Sequence, residues 1–455
     1  MLNFLLVPIY TYTFRPNEYA VTVKFHAIVA FVQVVYMFGM ETAFFRFSTK
    51  SGADAKRIFN LAQTSVLSIS VPLSALFIIF ASPIASALGT PAHPEYVTWL
   101  ALVMLLDAAV AIPFARLRLE KKPLLFTTAK VVNVALVIGI TWYFLNVNFD
   151  PSIGIGYVFL STLIANTFYV FFFASTLLSW RPAYDSKLSP EMYKYAYPVM
   201  LTGVAGATNE MFSRLTLEWW LPEHFYDTIS NEDAVGIFGA CYKYSVLMNL
   251  GIQAFRFAAE PFFFSNAADK NSPALFAKVN HFFIITCCFF LLGVCLNLDL
   301  LKYIIAPDYW SGLHIVPILL LAYLCLGAYY NFSAWFKVTD RTYYGTWITF
   351  GGALVTIGAN YVLIPWMGYA GSAWAALLCY FSMAVACYAS GQLFYPIPYG
   401  ITRSMTYVMV TLLLVYSVNL VEISNQVLAT TFHMGVIIVV AMVVYFLERK
   451  RLVSF

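Results

Sequence analysis

The chain has 455 residues, of which 61% are hydrophobic, 18% aromatic and only 11% charged, with a formal net charge of +4. That composition excludes an ordinary soluble domain and defines an integral membrane protein. The small positive balance sits in loops, where it reports topology and not a nucleic-acid footprint.

In chain order, Met1 to Tyr10 is apolar but too short to span, and it lacks a basic n-region, so it is not read as a cleaved signal. It is read as the outer half of a first spanning helix whose beginning lies upstream or is truncated. Apolar runs of spanning length then follow near 22–47, 58–82, 95–115, 124–146, 154–179, 192–221, 234–265, 275–298, 312–336, 345–364, 369–394, 403–420 and 430–448. The expectation is an all-α integral membrane protein of about fourteen transmembrane helices. Connections are short and carry Pro, Gly, Asn and Asp. The longest outer one, Pro222–Asp233, is an ordinary connection and no soluble domain.

Alternate loops hold the positive charge: Arg46, Lys50, Lys56 and Arg57; Arg116, Arg118, Lys121 and Lys122; Arg181, Lys187 and Lys194; Lys270 and Lys278; Lys337 and Arg341; Arg403; and Arg449 to Arg451 at the tail. The intervening loops are almost free of Lys and Arg, with Arg15 and Lys302 as exceptions. By the positive-inside rule the basic loops and both termini are expected to be cytoplasmic.

The two halves echo each other. Glu41 to Ser48 near the end of the second helix corresponds to Glu260 to Ser265 near that of the eighth. Pro94-Glu95-Tyr96 precedes the fourth helix and Pro307-Asp308-Tyr309 the tenth. These helices leave through Ala115 to Lys121 and through Ala334 to Arg341. Pro151 to Gly154 precedes the sixth helix and Pro365 to Gly368 the twelfth. Six helices per repeat is an even number, so both copies run the same way through the bilayer. The expected organisation is a first lobe over 1–182, a second over 183–402, and two further helices with a basic tail over 403–455. Substrate then binds between the lobes, and rocking alternates its access.

Charges deep in apolar runs are the candidate functional residues. One at mid-membrane costs roughly 2.5–3.5 kcal/mol on insertion scales, so it should face the bundle interior or a wet cavity. Val235 to Ser265 is apolar nearly throughout yet holds Lys243, Gln253, Arg256 and Glu260. Lys243 is a candidate for lining an anionic substrate path; the alternative is a structural ion pair. Glu210, Arg214 and Glu218 are four apart on one helix face. Glu210, Arg214 and Lys243 are expected to cluster, with Glu210 poised to take up and release a proton or sodium ion. Asp107 and Lys130 fall at similar depth on antiparallel neighbours and could pair, either as a structural salt bridge or with Asp107 as an ion-coupling candidate. Arg46 and Arg256, each close to a glutamate (Glu41, Glu260), are candidates for drawing in a phosphate, or else are anchors that snorkel to headgroups.

Phe171–Phe173 and Phe262–Phe264 read as packing or lipid-facing residues, not a sugar platform. The seven cysteines lie in apolar runs without metal-ligand spacing, and the six histidines show no HxxxH pair, so no metal or organic cofactor is expected. No GxSxG, Walker A or HExxH motif is present, so no hydrolytic enzyme is expected.

Several stretches resemble a known family. Gly236-Ile237-Phe238-Gly239 to Tyr242-Lys243, then Gln253-Ala254-Phe255-Arg256 and Ala259-Glu260-Pro261-Phe262-Phe263, is similar to the eighth helix of polysaccharide-transporter flippases of the multidrug/oligosaccharidyl-lipid/polysaccharide (MOP) exporter superfamily. So are Asn3 to Tyr10 with Glu18-Tyr19, Gly39 to Arg46, Asn209-Glu210 with Arg214, and Tyr361 to Pro365 with Gly368 to Ala375. Two features depart from the family: the first helix lacks its start, and Ser213 stands where relatives often have Asp before the Arg. The resemblance implies a V-shaped pair of six-helix lobes with two extra helices. It implies flipping of an undecaprenyl-diphosphate-linked oligosaccharide across a bacterial inner membrane, driven by H+ or Na+. The expected partners are that substrate, membrane lipids and other polysaccharide assembly proteins, with no nucleic acid. The alternatives weighed against it are a drug/cation antiporter of the same fold and a membrane polysaccharide polymerase or ligase. Lys243 and Arg214 favour an anionic cargo, and the outer loops are too short and Arg-poor for a polymerase.

Overall fold

The structure is a computed structural model and describes residues 2–49, 54–266, 269, 271–421, 423 and 425–452. Every regular element among them is helical, as a chain that must satisfy its own backbone hydrogen bonds inside hydrocarbon requires. The chain divides into two compact units, residues 2–219 with 223–236, and residues 220–222 with 237–455.

The first unit comprises α1 (Leu2–Leu5), α2 (Val7–Thr13), α3 (Pro16–Met37), α4 (Met40–Ser48), α5 (Ala55–Ile79), α6 (Ala81–Ala87), α7 (Pro94–Leu119), α8 (Pro123–Asn146), α9 (Tyr157–Phe172), α10 (Ala174–Ser179) and nearly all of α11 (Leu188–Trp220). Local chemistry sets several ends. Pro16, Pro94 and Pro123 open their helices, where a missing N–H costs nothing. Asp54 caps α5 by accepting from Lys56 N and Arg57 N. Between α3 and α4 the helix breaks at Phe38 and Gly39, both left-handed. A Cβ on Gly39 would also stand 2.6 Å from Ala196 O, so α11 presses its backbone into the break. Tyr36, Met40, Phe44, Phe59, Met104 and Met192 form the core beside it. A second core of Phe114, Tyr169 and Phe173 joins α7 to α9, with edge-on rings 4.7 and 5.1 Å apart.

The second unit holds most of α12 (Asn231–Asn266), then α13 (Ser272–Leu296), α14 (Leu298–Leu301), α15 (Val316–Phe332), α16 (Ala334–Val338), α17 (Tyr343–Met367), α18 (Tyr369–Phe394), α19 (Ile401–Asn419) and α20 (Gln426–Leu452). Trp335 is fully buried, and its Nε1 donates to Cys387 O at 3.1 Å. The α19–α20 hairpin is fastened to α13 by one carboxylate. Glu448, 1% exposed, accepts on Oε1 from Tyr407 OH at 2.7 Å and Arg403 Nη2 at 2.8 Å, and faces His281 Nε2 at 3.0 Å.

Twelve described helices are long and apolar enough to cross a membrane. The two segments that brought the expectation to fourteen differ for separate reasons. The N-terminal run forms the short α1 and α2, and α11 is long enough but carries Glu191, Lys194, Glu210, Arg214 and Glu218.

The sequence echoes have a backbone counterpart. α7 and α15–α16 leave through the same turn: Lys121 and Asp340 are left-handed at φ +54° and +57°. Lys122 N donates to Leu117 O at 2.9 Å, and Arg341 N to Phe336 O at 2.8 Å. This is a Schellman ending, made twice without glycine. Gly154 and Gly368, ahead of the sixth and twelfth segments, also share positive φ, +51° and +58°.

Lys121→Gly should raise thermal stability in detergent by roughly 0.5–1 kcal/mol. It relieves about 1–2 kcal/mol of left-handed strain and adds about 0.4–1 kcal/mol of unfolded-state entropy. Glu448→Ala should lower stability by about 3 kcal/mol, because Arg403 loses its partner beside a low-dielectric interior. A thermal melt of each variant measures both.

Candidate functional site

The first polar site lies inside the first unit, where α7, α8 and α9 meet. Asn133 Nδ2 donates to Asn166 Oδ1 at 3.0 Å and to Ala165 O at 3.1 Å. Asn166 Nδ2 in turn donates to Asp107 Oδ1 at 3.0 Å. Both asparagines are buried, so the relay fixes one carboxylate oxygen. Asp107 and Lys130 attract one another electrostatically but make no direct salt bridge. Lys130, one turn before Asn133, lies over the rings of Phe114 (4.2 Å) and Tyr169 (4.9 Å). The ring faces hold the ammonium by cation–π attraction, while an amide partners the carboxylate. Nearby on α5, the fully buried Gln63 donates to Ala109 O at 2.9 Å.

At the end of the first unit that carries the basic loops, Glu41 pairs with Arg118 and not with its sequence neighbour Arg46. The exposed Arg46 lays its guanidinium over Tyr195 at 4.2 Å. Arg57 pairs with Asp185 across the same end.

On α11, Arg214 is buried beside Met211 Sδ, Glu210 is half-buried, and Ser213 is buried next to them. Lys243, half-buried, stands on the part of α12 that belongs to the second unit. Arg256, also on α12, covers the Tyr330 ring at 4.8 Å. The Glu260 side chain lies outside the described residues.

Sequence reasoning missed one buried ion pair. Lys24 Nζ lies 2.8 Å from Glu218 Oε2, with side-chain exposures of 7% and 21%. Starting the second helix at 22 left Lys24 at a helix end. Pro16, followed by Glu18 whose Oε2 accepts from Arg15 N at 2.9 Å, was the start signal that brings Lys24 inside. The asparagine relay was missed because amides in apolar runs were not counted among the polar candidates.

Among solved structures, the lipid II flippase MurJ in an inward closed conformation superposes with a TM-score of 0.73 at 14% identity, covering 98% of this chain and 96% of that one. An inward-facing multidrug resistance MATE family transporter of the MOP superfamily gives 0.63 at 13% identity, over 86% and 93%. A Vibrio cholerae MATE transporter gives 0.55 at 12% identity, over 83% and 86%. The chain is therefore a multi-pass membrane protein with the transporter fold common to MurJ and MATE proteins. Residues 13–221 match the family described as polysaccharide biosynthesis protein. The family match over the first part of the chain and the MurJ/MATE fold agree with the resemblance that the sequence carries. No curated protein sequence matches the chain.

Asn166→Leu should lower thermal stability by about 1–3 kcal/mol, since it strips Asp107 of its donor and Asn133 of its acceptor. Asn133→Leu, which leaves the Asp107 bond standing, should cost less. Thermal melts of the two single variants and the double variant give the coupling.

Proposed function

We propose that this protein is a flippase for an undecaprenyl-diphosphate-linked oligosaccharide, a precursor of surface polysaccharide such as O-antigen. It carries the lipid-linked sugar from the inner to the outer leaflet of a bacterial inner membrane, with both termini cytoplasmic. The observation that carries this reading is the set of cations on apolar helices, Arg214, Lys243, Arg256 and Arg46, in a chain whose first half matches a polysaccharide biosynthesis family. Guanidinium and ammonium groups suit a diphosphate, whereas a carrier of cationic drugs needs an acid-dominated path. The work required is translocation, not bond cleavage, and the reading is that of a transporter and not an enzyme.

Alternating access between two six-helix repeats, 1–182 and 183–402, moves the cargo, with 403–455 appended. Coupling to H+ or Na+ falls to carboxylates inside the bundle. Asp107 is the best supported of these, because the Asn166–Asn133 relay presets one oxygen while the other remains available. Glu210 is the second, and Glu41 and Glu260 complete the set. Membrane lipids and other polysaccharide assembly proteins are its partners. The likeness to MATE structures favours a second reading, a drug/cation antiporter.

Deletion of the gene should accumulate the lipid-linked oligosaccharide on the cytoplasmic leaflet, scored by leaflet-selective labelling of the glycan. Complementation with Lys243→Ala or Arg214→Ala should fail to restore surface glycan at normal membrane levels of protein. Asp107→Asn and Glu210→Gln should flatten the dependence of export on pH or sodium. Normal surface glycan in the deletion strain, together with raised sensitivity to cationic dyes, would move the assignment to the antiporter.

A further inference from the structure

The Lys24–Glu218 pair closes one end of a seam that runs the length of two helices. α3–α4 and α11 lie antiparallel. At the far end Arg46 covers Tyr195, and Gly39 takes the Ala196 carbonyl. In the middle Gly203 admits Val34, whose methyl would stand 2.8 Å from a Cβ there. At the near end, the outer one by loop charge, the contact changes character. Lys24 Nζ meets Glu218 Oε2 at 2.8 Å, and both side chains are largely withdrawn from water.

Three other segments converge on this pair. Gly89, between α6 and α7, has φ +79°, and a Cβ there would come within 3.4 Å of Lys24 Nζ and 3.9 Å of Glu232 Oε1. Asn231 Nδ2, at the start of α12, donates to Glu218 O at 3.3 Å. Gly236 lies so close to Pro16 O that any Cβ would collide with it. The ammonium is thus roofed by a glycine and faced by one carboxylate, with a second, Glu232, beside the same glycine.

Such a pair does little for net stability, because desolvating two charges offsets most of their attraction. What distinguishes it from an apolar contact is the open state. When the helices part, water enters and rehydrates both groups, so much of the lost attraction returns as solvation. An apolar plug would instead expose hydrocarbon to water at about 25 cal/mol per Å². A charged closure in a glycine-fitted seam is therefore suited to being made and broken repeatedly.

α3 belongs to the first sequence repeat and α11 to the second. We propose that Lys24 and Glu218 form a latch that holds the two repeats together at their outer ends in one state of the transport cycle and releases in the other. This rests on the alternating-access reading above. Glu232 is the carboxylate that receives Lys24 as it swings away from Glu218.

The test uses Val34→Cys, a smaller residue at mid-seam, as reporter in the full-length protein in cells. Its labelling by a membrane-impermeant maleimide added outside is measured above that of the native cysteines. Glu218→Lys and Lys24→Glu, and the milder Glu218→Gln if the reversals fail to accumulate, should raise labelling several-fold and lower glycan export. The double exchange K24E with E218K should return both towards the parent. Labelling unchanged in every single variant, or a double exchange no better than the singles, overturns the latch. Separately, cysteines at 24 and 218 joined by a short bifunctional reagent should stop export. Export that continues through the cross-linked protein overturns alternating access itself, whatever the labelling shows.

Discussion

A charge carried into hydrocarbon must find a partner inside the protein or a route to water, and the polar architecture of this chain follows from that constraint. Hydration lost at mid-membrane is worth several kcal/mol per ion. The chain meets the cost in three ways. Lys24 and Glu218 neutralise one another across two helices. Glu448 gathers Arg403, Tyr407 and His281 on one oxygen and thereby binds the C-terminal hairpin to α13. Asp107 takes a neutral donor, Asn166, while Lys130 is left to aromatic faces. Of the three, the last leaves a carboxylate without a direct ionic contact, and the proposal of Asp107 as a coupling group rests on that asymmetry.

Glycine does the complementary work on the apolar side. Where α11 meets α3–α4, Gly39 and Gly203 let backbone and β-branched side chains approach to distances no Cβ would permit. Association of helices in lipid depends on such close packing more than on hydrophobic burial, since lipid tails solvate leucine as well as another helix does. A seam of this kind is tight without being greasy, and it is compatible with repeated separation. The left-handed turns at Lys121 and Asp340 add a second regularity. Two stretches with little sequence in common end their helices through the same hydrogen bonds.

The family match covers residues 13–221, and the structural likeness covers nearly the whole chain at low identity. These carry different weight. The fold says that the chain is built like a transporter. The proposal of an anionic, sugar-bearing cargo rests instead on the cations of its apolar helices and on the family match.

The sequence by itself determined the class, the helical content and most span positions. Hydropathy, proline placement and loop charge act locally or at fixed periodicity, and they survive the absence of coordinates. Pro16 and Glu18 even held the correct start of α3, had they been weighed above hydropathy. What only the tertiary structure decided was partnership. Glu41 chose Arg118 over Arg46, Asp107 chose Asn166 over Lys130, and Lys24 found Glu218 across 194 positions of chain. Residue depth can be counted from a sequence, but the rotation of a helix about its axis and the identity of its neighbour cannot. In a bundle whose helices are apolar on nearly every face, no amphipathic stripe records which side looks inward.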